Sequence, residues 1–270
     1  MKIPISFEKA SLVLLVGGLH SVRVCNAFDC FPDSATLKAA TLAIPTTSDG
    51  VGYTYPGYGP IEDWCFESEV TSMSGLFTDK EAFNADISGW DVSRITNMAG
   101  MFYEASTFNQ LLNGWDVSSV TEMKETFLLA RAFNRPLNAW DVSSVTDMQR
   151  TFFIASSFNT PLDNWNVSSV MNMIETFREA SSFNQNLCAW GEKMNAAPRT
   201  EPVFFMFRDS GCESELDPLY ASTPYENLCT SVCNTRCSPS WYNDCDDQLS
   251  LLHSALRGEG KTKDTNLSLK

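Results

Sequence analysis

Apolar residues recur through the middle of this chain with a step of 25 residues. Trp90, Trp115, Trp140, Trp165 and Trp190 form one series. Met73, Met98, Met123, Met148 and Met173 form a second, and Phe77, Phe102, Phe127, Phe152 and Phe177 a third. Five Phe-Asn pairs, from Phe83-Asn84 to Phe183-Asn184, keep the same step. A fixed period of this size marks units that cannot bury their apolar faces alone and stack on one another. The unit 112–136 shows how the pattern changes within one period. Trp115 and Val117 stand two apart, as residues on one face of a strand do, and Asp116 and Ser118 alternate with them toward solvent. Met123, Phe127, Ala130 and Phe133 then follow at intervals of 4, 3 and 3, the stripe of a short helix. Thr121 suits its N-cap, Glu122 suits its positive end, and Pro136 stops it. The pattern predicts an α/β solenoid with a narrow parallel β-sheet on one face and short helices on the other.

The same spacing divides the chain. Five gapless units run over 65–189, with Cys65 where the later units have Trp. Exposed end units would leave unpaired edges, so caps are required. Residues 28–64 are the expected N-terminal cap, with a helix near Ser34–Ala43 and a Gly/Pro/Tyr-rich stretch from Gly50 to Pro60. A Cys-rich C-terminal cap is expected over 190–245. There Val203, Phe207 and Ser210 repeat the Met-Phe-Ala spacing after a five-residue insertion, since Phe177 to Phe207 is 30 rather than 25. Residues 246–270 are polar, lack a core pattern and read as a disordered tail. Residues 1–27 read as a secretory signal peptide: Lys2 and Lys9 flank the start, Ala10 to Leu19 is mostly apolar, and Cys25-Asn26-Ala27 offers a cleavage site.

The units WDVSSVTEMKETFLLARAFNRPLNA and WDVSSVTDMQRTFFIASSFNTPLDN resemble the repeat of the BspA-like leucine-rich-repeat surface proteins. Leu112-x-x-Trp115-x-Val117-x-x-Val120 likewise resembles the strand-and-turn segment of leucine-rich repeats, with Trp in the second apolar slot. About ten positions recur in register five times across 65–189. The resemblance implies a right-handed, leucine-rich-repeat-like coil with Cys-containing caps, secretion or surface display, and adhesion or binding. Cys65-Phe66-Glu67, Asn166, Met171 and the final insertion depart from the repeat.

Formal net charge is -14, which disfavours nucleic acid and anionic lipid headgroups as partners. No stretch approaches the roughly 20 apolar residues of a membrane span. Cleavage after Ala27 would leave eight cysteines, an even set suited to disulfides in an oxidising compartment. Eight cysteines allow 105 pairings. Cys30–Cys65 and Cys188–Cys212 are favoured by their places at the two ends of the block. Zinc is a competing reading of Cys229, Cys233, Cys237 and Cys245, but that set lacks histidine and CxxC spacing.

The buried Met, Phe and Trp columns are structural, and the Asn column is expected to satisfy backbone groups in the return loops. The exposed columns Asp91, Asp116, Asp141, Asn166 and Ser93, Ser118, Ser143, Ser168 form the candidate ligand-binding face. Calcium between neighbouring carboxylates is chemically reasonable, yet a flat array offers few of the six to eight oxygens that it needs; no cofactor and no other metal is expected. Asn166 and Asn266 open N-glycosylation sequons. A glycan at Asn166 would cover one end of the candidate face, unless strand geometry prevents its attachment. The only histidines, His20 and His253, lie in the expected signal and tail, which removes Ser-His-Asp and Cys-His arrangements from the body. The reading is therefore a secreted or cell-surface, non-catalytic recognition or adhesion module that binds extracellular protein or glycan. A structural spacer associating through its Cys-rich end is the alternative, and an acidic-site glycosidase a minor one. Ligand identity and oligomeric state have no signature in the sequence.

Overall fold

The computed structural model describes residues 28–187, 189–190 and 205–212. The expected signal over 1–27, Cys188, most of the expected C-terminal cap and the whole of 246–270 lie outside the described residues.

Equivalent residues of successive units lie on one another. The Phe127 ring sits 5.4 Å from both Phe102 and Phe152, and Trp140 lies 6.5 Å from Trp115 and 6.4 Å from Trp165 with planes 1° apart. The Met, Phe, Ala and Val columns between them are buried throughout. The indole N–H groups, costly to bury unpaired, donate to backbone carbonyls earlier in the chain, 28 residues back for Trp115, Trp140 and Trp165. Trp115 Nε1 reaches Ile87 O at 3.2 Å, Trp140 reaches Leu112 O at 2.8 Å and Trp165 reaches Leu137 O at 2.9 Å.

The backbone connects units at a different place from the one that the spacing suggests. Where a strand is expected, Trp115 N donates to Leu112 O and Val120 N to Val117 O, so the segment is closed by turns. Parallel bridges between units fall just beyond it, from Ser72 through Asn97, Glu122 and Asp147 to Asn172. Where a helix is expected, 123–133 is a run of turns. Alternate N–H groups of that run point to the next unit: Met123 to Asp147 O, Glu125 to Gln149 O, Phe127 to Thr151 O and Leu129 to Phe153 O, at 2.8–3.0 Å. Those between them close turns, as Thr126 does to Met123 O and Leu128 to Glu125 O. A helix would spend every N–H inside its own unit. The turn run spends half of them on the stack and still brings Met123, Phe127, Ala130 and Phe133 inward.

That path requires two left-handed residues per unit. Gly75 and Gly100 occupy the first such position in units one and two, and Glu125, Arg150 and Glu175 occupy it later. Asp79, Glu104, Leu129, Ile154 and Glu179 occupy the second. A left-handed non-glycine residue costs roughly 1–2 kcal/mol, which the inter-unit hydrogen bonds and ring stacks offset.

The first unit is closed by a cap. Helix α1 (Ser34–Leu42) starts at Asp33, whose Oδ1 accepts from Thr36 N at 2.7 Å. Its Lys38 Nζ donates to Ser74 O at 2.9 Å, on the open edge of unit one. Buried Lys80 returns from unit one to donate to Leu42 O at the helix end and to Ile44 O just beyond it. Strands β1 (Thr54–Tyr55) and β2 (Gly59–Pro60) form a small antiparallel pair. Cys30 and Cys65 are joined by a disulfide. With Cys65 so engaged, the neighbouring Trp64 extends the indole column, 5.9 Å from Trp90 with planes 15° apart. At the far end, Phe207 lies 5.6 Å from Phe177, and Phe177 N donates to Met206 O, so the ladder continues beyond the insertion. Cys212 is disulfide-bonded.

Candidate binding face

The Asp and Ser columns lie in the turns that follow each Trp. Asp91, Asp116, Asp141 and Asn166 are exposed, and Ser93, Ser118, Ser143 and Ser168 are half-buried. In each of these four pairs the first residue bonds the second. Asp116 Oδ1 accepts from Ser118 N at 3.1 Å and from its hydroxyl at 2.6 Å. Asp91 does the same for Ser93 at 3.1 and 2.7 Å. Asp141 accepts from Ser143 N at 3.0 Å, and Asn166 from Ser168 N at 3.3 Å. This is an Asx turn, and it explains why Asn can stand where Asp otherwise does: only the Oδ1 acceptor is needed. The Ser143 hydroxyl and N–H hold the Asp141 carboxyl below its ordinary value. Among the described residues nothing donates to the second oxygen of Asp116. Asp116 thus holds its turn with one oxygen and presents the other at the surface. No group of three or more His, Cys, Asp or Glu among the described residues is placed to hold a metal ion.

The Asn column works between units. Asn134 N donates to Asn109 Oδ1 at 3.0 Å, and Asn109 N, Asn159 N and Asn184 N make the same bond to the Asn of the unit before at 2.9 Å. A second column unmarked in the sequence reading is buried Thr126, Thr151 and Thr176, whose hydroxyls donate to backbone carbonyls of their own and the preceding unit.

A different surface is built where the units differ. The left-handed column runs Glu125, Arg150, Glu175, so opposite charges meet across units. Arg150 Nε lies 2.6 Å from Glu175 Oε2, Arg178 pairs with Glu175 Oε1, and Arg150 lies 3.8 Å from Glu125. Both guanidinium groups flank the Phe153 ring, at 5.9 and 5.5 Å. With Tyr103, Leu128 and Leu129 these residues line an open cleft of about 370 Å³. Burial is the largest single influence on Glu175 and pushes its carboxyl up; the two arginines outweigh it through hydrogen bonds and charge, and the net direction is down. Sequence reasoning missed this cluster, although the 25-residue step from Glu125 to Arg150 to Glu175 was its signal.

The sequon at Asn166 sits in a turn, not in a strand; the one at Asn266 lies outside the described residues, as do His20 and His253. No helix among the described residues is long and apolar enough to cross a membrane. No curated protein and no solved structure matches the chain. A family model described as "Mycoplasma protein of unknown function, DUF285" matches twice, over residues 57–152 and 110–209. The two matches overlap, cover the stacked units and together span more than half of the sequence. The chain belongs to this DUF285 repeat family.

Proposed function

We propose that this protein is a secreted or surface-displayed, non-catalytic recognition or adhesion module. In this reading the stacked units are a leucine-rich-repeat-like solenoid that holds the Asp/Ser turns at one step per unit. The observation that carries it is the division of labour in those turns: the columns around them are buried or bonded between units, while Asp116 and Asp141 hold their own turns and still carry exposed charge. A row of like, evenly spaced acidic turns suits a ligand that itself repeats, such as a glycan or a cationic protein segment.

The test replaces Asp116 and Asp141 together by Asn, the residue that already makes this turn in unit five. The protein is produced in the bacterial periplasm, where the new Asn-Val-Ser sequences stay unmodified. Binding is then read on a glycan array and against immobilised extracellular-matrix proteins. The reading requires that ligands held by the wild type be lost with the melting temperature unchanged; ligands held equally well by the double variant would remove the role of this face. The spacer alternative is favoured by the regularity of the stack. It predicts wild-type self-association that a chain ending at residue 212 no longer shows.

A further inference from the structure

We propose that Asn166 is an N-glycosylation site, occupied on the mature protein, and that its glycan confines the acidic face to Asp91, Asp116 and Asp141. The inference rests on the secretion reading above. Three observations at unit five carry it. Asn166-Val167-Ser168 is the one Asn-x-Ser/Thr sequence within the described residues, and it occurs at the position where the three preceding units have Asp. The side chain is exposed and stands in a turn, so a bulky group attached there displaces no packed neighbour among the described residues. The Oδ1 atom is the one that builds the turn, accepting from Ser168 N; among the described residues the amide nitrogen donates no hydrogen bond. Attachment through that nitrogen leaves the turn bond in place.

The co-reactant is an oligosaccharide carried on a lipid diphosphate. The Asn166 amide nitrogen attacks the first sugar at C1, and a C–N bond forms. The C1–O bond breaks, the lipid diphosphate leaves with the electron pair, and the amide loses one proton. Transfer takes place on the emerging chain, and the finished turn then holds the glycan outward. The exchange of Asp for Asn in this unit thus keeps the fold and replaces a surface carboxylate by an attachment point. Met171, 71% exposed five residues on, lies in the same unit, where the others have Thr at that position.

The test expresses the full chain in a eukaryotic secretory host on an Asn266→Gln background, once with its own N-terminus and once behind an established secretory leader. Peptide-N-glycosidase treatment converts an occupied Asn to Asp, which peptide mass spectrometry locates. The expected result is conversion at Asn166, complete loss of glycan in Asn166→Asp with unchanged thermal unfolding, and its return one unit earlier in the Asn166→Asp, Asp141→Asn double variant. Secreted protein whose Asn166 peptide is unmodified overturns the proposal, as does a double variant left unmodified at position 141. Secretion only behind the added leader sinks the signal reading instead, and the Asn166 result from that version still decides the modification.

Discussion

The Asp-x-Ser turn and the Asn column make opposite demands on similar side chains. Asp116 and Asp141 bond within their own unit, so replacement by Asn is expected to cost almost nothing, whereas Ala leaves the turn N–H to water and costs at most about 1 kcal/mol per site. Chemical denaturation of the two substitution series checks that ordering. Asn109 bonds across units, to Asn134 N, so even Asn109→Asp keeps an acceptor while Asn109→Ala loses the link between two coils. The Ala variant is expected to lose about 1–2 kcal/mol. Glu175 sets a pH dependence. Its carboxyl lies lower in the folded protein than the 4.5 of the free group. The stability it contributes is therefore complete above about pH 4.5 and is lost as pH falls through the folded value. Melting temperature measured from pH 7 downward should fall below that point, and Glu175→Gln should flatten the acid limb; an unchanged limb would remove Glu175 from the account.

At the scale of the element, the 25-residue columns were legible because each side chain has to match its neighbour above and below. Phe152 touches Phe127, Phe158, Trp165 and Phe177, so no single unit accounts for its burial. Phe152→Ala is expected to cost about 3–5 kcal/mol, read from denaturant midpoints. The local path was less legible. Spacings of 4, 3 and 3 bring the same residues inward in a helix and in a run of turns, and hydrophobic periodicity alone does not separate the two. The signal that separates them is Gly75 and Gly100, which the sequence reading left unused: glycine in the middle of two supposed helices marks a left-handed position. Glu125, Arg150 and Glu175 concealed that signal in later units by standing there without being glycine. Trp64 was missed for a similar reason. The strict period names Cys65, and only the disulfide to Cys30 explains why the ring comes from one residue earlier.

For the molecule as a whole, the two ends of the stack are chemically different. In the turn run each unit donates N–H groups to the carbonyls of the unit after it, as Met73 N does to Asn97 O, while other groups such as Thr96 N donate back to Thr71 O. The turn run of the first unit therefore has no earlier unit donating to its carbonyls. Lys38 and the α1 helix meet that edge, and Lys80 ties the helix end back to unit one. Lys80→Met should therefore loosen the cap before the stack, seen as faster hydrogen exchange in 34–44 than in 98–177. The candidate face rests on one arrangement, in which 25-residue units nest in register. Deleting residues 140–164 removes one whole unit and joins Ala139 to Trp165 in phase, while deleting 140–152 breaks the phase. The direct measurement is thermal unfolding followed by near-ultraviolet circular dichroism of the stacked indoles. The in-phase deletion is predicted to melt cooperatively with a wild-type-like spectrum, and the out-of-phase deletion to lose both signal and transition. Equal behaviour of the two deletions would contradict the nested arrangement.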